Sequence, residues 1–155
     1  MRKTFVLAIA ICIAFAATAQ AQLDQDRAVQ LTRSAIQAER QAILAANLDL
    51  DEKESAVFWP LYREYRDALE SIIDTRVDLL DQFFASYETL TDGEALALLD
   101  QHFDWEKDVL KVRTAYAKKM RKSLSGRTIA KFFQIENKMD LIVEYELAGE
   151  IPLIK

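Results

Sequence analysis

His102 is the one histidine of the chain, and Glu106 follows it one helical turn later. On a helix that spacing places an imidazole and a carboxylate on one face, so the two are candidate metal ligands. Asp104 and Asp108 lie beside them in sequence. A catalytic zinc takes about three protein ligands, and no histidine-rich segment supplies a third. The expected reading of His102 is a packed histidine between Phe103 and Trp105, with no resident metal and no cofactor. Asp100, Asp104 and Asp108 repeat at helical spacing with Lys107 and Lys111 close by, the pattern of a solvated helix face. No serine has a histidine partner at a recognisable spacing, and no glycine-rich phosphate loop occurs. No Cys-x-x-Cys-His run exists for covalent haem. The residues give no basis for an enzyme.

Aromatic residues are the other chemical signal. Phe58-Trp59 and Phe132-Phe133 are adjacent pairs, and Tyr62 and Tyr65 extend the first. Neighbours on a helix point about 100° apart, so one ring of each pair faces away from the other. Phe58, Trp59, Tyr62, Tyr65, Phe132 and Phe133 are therefore the candidate binding residues, for a dimer seam or for a protein client.

The elements that position these residues are helical throughout. The interior holds few breakers: Pro60, Gly93, Gly126, Gly149 and Pro152. Four helices fit between them. The first spans about 24–46 and carries a narrow stripe of alanines. The second spans about 52–87, with Phe58, Tyr62, Tyr65, Leu69, Ile72, Leu79 and Phe83 along one line. Arg76 alone interrupts that line, and Ile73, Val77, Leu80 and Phe84 widen it. Pro60 should bend this helix near Ala56. The third spans about 92–124, with a stripe of Leu98, His102, Trp105, Val109, Val112 and Tyr116, widened by Leu99, Phe103 and Leu110. The fourth spans about 127–148, with an apolar face of Ile129, Phe132, Phe133, Met139, Ile142, Val143 and Leu147, and Gly149 placed as its C-terminal cap. The apolar tail Ile151-Pro152-Leu153-Ile154 is expected to fold back onto the body. No run alternates with period two, so the fold class is all-α, with long helices in hairpins joined by short turns.

The first residues read as a targeting segment. Met1-Arg2-Lys3 is positive, the stretch to Ala17 is almost purely apolar, and Ala19-Gln20-Ala21 offers a small-x-small cleavage site. This is the pattern of a secretory signal peptide over 1–21, leaving a single helical domain over 22–155. The apolar run is short of the about 20 residues that span a bilayer, so no integral membrane segment is expected after cleavage. Cys12, the sole cysteine, leaves with the signal. The mature chain has no disulfide, and its fold must rest on its core. Removing Arg2 and Lys3 leaves 18 basic residues against 25 acidic ones, a net charge of −7. That surface argues against a nucleic-acid partner. The local basic run Lys118, Lys119, Arg121, Lys122 and Arg127 closes the third helix, where cations complement the dipole.

A capping signature recurs before three of the helices. It reads Leu50-Asp51-Glu52-Lys53-Glu54, then Leu90-Thr91-Asp92-Gly93-Glu94, then Leu124-Ser125-Gly126-Arg127-Thr128. Each leucine precedes the N-cap, and Asp51, Thr91 or Ser125 is the cap. Glu54 and Glu94 fall at the third helical position, where their carboxylates can reach back to the cap amide in a capping box. Phe58 and Phe132 each stand eight residues after their leucines, which points to two related halves.

This arrangement resembles the paired Leu-Thr-x-x-Gln motifs of the Spy/CpxP family of small periplasmic helical proteins. The resemblance covers about Leu48 to Phe133. Here Glu stands for Gln at 54 and 94, and Asp for Thr at 51. It implies a periplasmic location and a non-enzymatic role as a chaperone-like protein or envelope-stress adaptor. Such a protein holds unfolded polypeptide or a protein partner on an apolar helical face. Members of the family form antiparallel dimers with a concave cradle, so the resemblance also implies a homodimer. A metal-responsive periplasmic sensor using His102 and Glu106, and a structural helical envelope protein, are the alternatives.

Overall fold

The computed structural model describes residue 31 and residues 33–155. The expected signal segment over 1–21 lies outside the described residues. The fold is all-α, with four helices and no strand among the described residues. Helix α1 is described over 33–47, its expected start near residue 24 lying outside the described residues; α2 runs over Glu52–Ser86, α3 over Asp92–Met120 and α4 over Gly126–Glu150. Two compact units divide between Asn47 and Leu48. In the first, most side chains of α1 are exposed, and Arg40 and Leu44 are the buried ones. None of the described helices is long and apolar enough to cross a membrane.

The second unit, Leu48–Lys155, is built from α2, α3 and α4. Early residues of α2 meet late residues of α3. Glu64 pairs with Lys119, Tyr65 packs edge-on against Tyr116, and Arg76 lies over Trp105. These two helices are antiparallel. Along α4 the order runs with α2: Phe58 meets Phe132, Arg66 meets Glu136, and Arg76 meets Glu144. The core is made by Phe58, Tyr62, Tyr65, Leu69 and Leu79 from α2, Met120 from α3, and Ile129, Phe132 and Met139 from α4.

The helix starts fall where the caps were read. Asp51, Thr91 and Ser125 all have extended backbones and accept from the amide three residues on. The Thr91 hydroxyl accepts from the Glu94 N–H at 3.3 Å, and the Glu94 carboxylate accepts from the Thr91 N–H at 2.9 Å. That capping box is complete, and the Thr91 N–H followed by its hydroxyl holds the Glu94 carboxyl below its ordinary value. The first box is only half formed. Asp51 accepts from the Glu54 N–H at 2.8 Å, but the Glu54 carboxylate accepts from the Thr128 hydroxyl at 3.3 Å. Glu54 thus joins the start of α2 to the start of α4. Thr91→Ala should cost about 0.5–2 kcal/mol, as loss of an N-cap does. Glu94→Ala should lower the melting temperature less, and the pair should fall short of the sum because the two groups share one box. Thermal melts of the three variants check this.

Two helix ends depart from the sequence expectation. Helix α3 stops at Met120 rather than near Leu124. The Leu124 N–H donates to the Met120 carbonyl at 2.9 Å, and this turn carries Leu124 inward to 8% exposure. Helix α4 continues through Gly149 to Glu150, and no glycine among the described residues has a positive φ. Its end is set by Pro152: Ile151 is extended at φ −85°, ψ 113°, the conformation a following proline imposes. Helix α2 runs through Pro60, as expected, and Pro60 is exposed. The tail joins the body through Lys155, whose ammonium sits 2.5 Å from Glu88, but Leu153 and Ile154 remain exposed.

Candidate functional site

The six aromatic candidates come together at the junction of α2 and α4. Phe58 and Phe132 meet edge to face at 5.3 Å between ring centres, and Tyr65 lies 5.6 Å from Phe132 and 6.0 Å from Phe133. Trp59 stands 5.0 Å from Phe58, and Tyr62 stacks on Phe58 at 5.9 Å. Edge-on geometry at these distances suits the ring quadrupoles. Phe58, Tyr65 and Phe132 are completely buried and Tyr62 is nearly so, while Trp59 and Phe133 reach partway to the surface. As folded, these rings hold the helices to one another. Of each adjacent pair one ring, Phe58 or Phe132, lies in the core where three helices converge, and the other, Trp59 or Phe133, stays partly accessible.

A row of carboxylates continues the junction along α4. Glu136, Asp140 and Glu144 are spaced by four, so they share one face. Each meets an arginine from another helix. Glu136 takes Arg66 of α2 at 3.5 Å, Asp140 takes Arg113 of α3, and Glu144 takes both terminal nitrogens of Arg76 of α2. The row begins in the core and ends in solvent: Glu136 is 0% exposed, and the Glu144 side chain is 43% exposed. Burial, reinforced by the nearby Glu136 carboxylate, pushes the Tyr65 hydroxyl up to about 12, so this tyrosine stays protonated at neutral pH. Arg76, which interrupts the apolar line of α2, also places its guanidinium 4.4 Å from the centre of the Trp105 ring. One side chain thereby ties α2 to both α3 and α4 through a cation–π contact and an ion pair.

His102 packs against Trp105 with ring centres 5.8 Å apart, and its Nε2 lies 3.7 Å from a Glu106 carboxylate oxygen. Both side chains are about half exposed. Among the described residues no group of three or more His, Cys, Asp or Glu is placed to hold a metal ion. A shallow groove of about 170 Å³ lies between α2 and α3, lined by Ile72, Thr75, Leu79, Gln101, Asp104 and Trp105. Asp104 there accepts from Lys107 at 2.8 Å.

Away from the junction, burial falls along all three helices. On α2, Arg66 faces α4. Ile73, Val77 and Phe84 follow it in steps of seven, four and seven, so they lie on the same side. They are 40–46% exposed. On α3, Arg113 faces α4. Leu110, Phe103 and Leu99 precede it in steps of three, seven and four, and they are 45–65% exposed. On α4, Met139 is buried, but Val143 one turn later is 47% exposed, and Leu141, Ile142 and Tyr145 are more exposed still. On α2 the line that forms the core stays covered through Ile72, Arg76 and Leu79, and the line beside it, on the Arg66 side, is open; on α4 the line through Phe132 and Met139 opens at Val143. Isolated apolar residues on a surface are ordinary, but runs of them on three helices at one end are not.

No family model, no curated protein and no solved structure matches the chain.

Proposed function

We propose that this chain is a non-enzymatic, exported helical binding protein. It would hold polypeptide on the open apolar end of the unit made by α2, α3 and α4, in the manner of a periplasmic chaperone or an envelope-stress adaptor. The observation that carries this reading is the exposure of Ile73, Val77 and Phe84, of Leu99, Phe103 and Leu110, and of Val143, on helix sides that adjoin or continue the core lines. A helix side built to be covered gains free energy from any apolar chain laid on it. The complete cap at Thr91 and Glu94 and its partial counterparts at Asp51 and Ser125 support kinship with the Spy/CpxP type. That reading adds export to the periplasm through residues 1–21, a pair of helical hairpins, and a homodimer with a cradle between its copies. The junction aromatics Phe58, Tyr62, Tyr65 and Phe132 then serve as the scaffold that fixes the helices, and the client surface lies farther along.

The test is aggregation of a chemically denatured client followed by light scattering. Near-stoichiometric protein is expected to suppress it. The double variant Val77→Ser, Phe103→Ser is expected to lose most of that suppression while its melting temperature stays close to that of the parent, because both side chains are about half exposed. Absence of suppression by the parent protein removes the chaperone branch.

A further inference from the structure

Charge is sorted along the unit in the same direction as burial. No lysine or arginine occurs over 77–106 or over 139–154. The first stretch covers the end of α2, the turn and the first half of α3, and it carries Asp78, Asp81, Asp92, Asp100 and Glu106 among its acids. The second covers the end of α4, with Asp140, Glu144, Glu146 and Glu150. These two stretches hold most of the exposed apolar side chains of α2, α3 and α4. The nearest cations are already engaged: Arg76 by Glu144, Lys107 by Asp104, and Lys155 by Glu88. The opposite end carries Lys118, Lys119, Arg121, Lys122, Arg127 and Lys131. There the adjacent apolar residues Met120, Leu124 and Ile129 are buried.

We infer that the open end is a docking site for a cationic amphipathic segment of a partner polypeptide, one helical stripe apolar and its flanks lysine or arginine. This names the client class for the function proposed above and rests on that reading. The apolar stripe would lie against Phe103 and Leu99 of α3, Val77 of α2 and Val143 of α4. The flanking cations would meet Asp81, Asp100 and Glu106. Acidic groups beside an apolar surface select sign as well as hydrophobicity, since an anionic segment on the same surface adds like-charge repulsion. A second copy seated by its basic turn is the poorer fit. The basic turn between α3 and α4 has its apolar neighbours buried, so it offers charge without an apolar stripe.

The experiment uses the full chain and a synthetic leucine–lysine peptide of about five helical turns, with all leucines on one face. Two controls are a peptide with glutamate in place of every lysine and a leucine–lysine peptide of scrambled order. Calorimetry is run beside sedimentation velocity. The ordered lysine peptide is expected to bind at least tenfold more tightly than the scrambled one, and more weakly as salt is raised. The glutamate peptide is expected not to bind. Val77→Ser with Phe103→Ser should weaken the lysine peptide at least tenfold while circular dichroism stays unchanged. Three results would overturn the inference: equal binding of lysine and glutamate peptides, lysine-peptide binding untouched by the double variant, or a dimer of the chain that the peptide does not dissociate. Suppression of aggregation for acidic and basic clients alike, with equal binding of the two peptides, would leave the proposed function standing and remove this one.

Discussion

Replacing Glu136 with alanine is expected to cost about 3–5 kcal/mol, the penalty for breaking a buried ion pair by removing one member. Glu136 has no exposed surface, and the Arg66 side chain it meets is only 11% exposed. The cost arises on the arginine side. Once the carboxylate is gone, a guanidinium remains unpaired in a region largely shielded from water. Glu136→Gln keeps the shape and one acceptor, so its loss should be smaller but still clear. Glu144→Ala should cost less than either, because Glu144 stands at the wet end of the same row, where ion pairs contribute little. Urea denaturation of the three variants gives the order directly. Equal losses at 136 and 144 would show that burial does not grade this row.

Phe132→Ala is expected to be as severe, at about 3–5 kcal/mol for a phenylalanine removed from a packed core. Its ring touches Phe58, Tyr62, Tyr65 and Phe133, so the cavity opens at the meeting point of α2 and α4. Relaxation there is limited, since the surrounding rings are also held by one another. Tyr145→Ala is the matching control. Tyr145 is 83% exposed, and surface changes of this kind fall within about 0.5 kcal/mol. Folded domains of this size are stable by about 5–15 kcal/mol, so either core variant removes a large share of the total. Both effects can be read in one denaturation series.

The helix starts were legible in the sequence because capping is local chemistry. Asp51, Thr91 and Ser125 act as caps through amides three residues away, and nothing distant needs to be known. The ends were less legible. Gly149 carries the usual signal for a helix stop, yet the backbone runs through it and yields only to Pro152. The end of α3 is decided by the need to bury Leu124, which is a tertiary demand.

The candidate site divides in the same way. Periodicity brings Phe58, Tyr62 and Tyr65 onto one face and Phe132 beside Phe133, and the structure joins them. Periodicity says which face is apolar but not how closely the next helix approaches. That distance is what makes these rings core and leaves Phe103 and Val143 open. The carboxylate row was missed because each member reads as an ordinary polar position. A signal was present: Glu136 and Asp140 sit four residues apart within the apolar face of α4, between Phe133 and Val143. Arg76 likewise interrupts the apolar line of α2. Charges inside an apolar stripe call for partners on a neighbouring helix, and here Arg76, Arg66 and Arg113 are those partners.

The central claim is that polypeptide is held at the open end and not at the aromatic junction. Amide hydrogen exchange of the full chain, with and without a denatured client, tests it most directly. Protection is predicted to rise over 73–84, 96–110 and 141–147, and to stay unchanged over 54–66 and 128–136. Added protection confined to 54–66 and 128–136, or none in the three open segments while the client is held, would contradict the account.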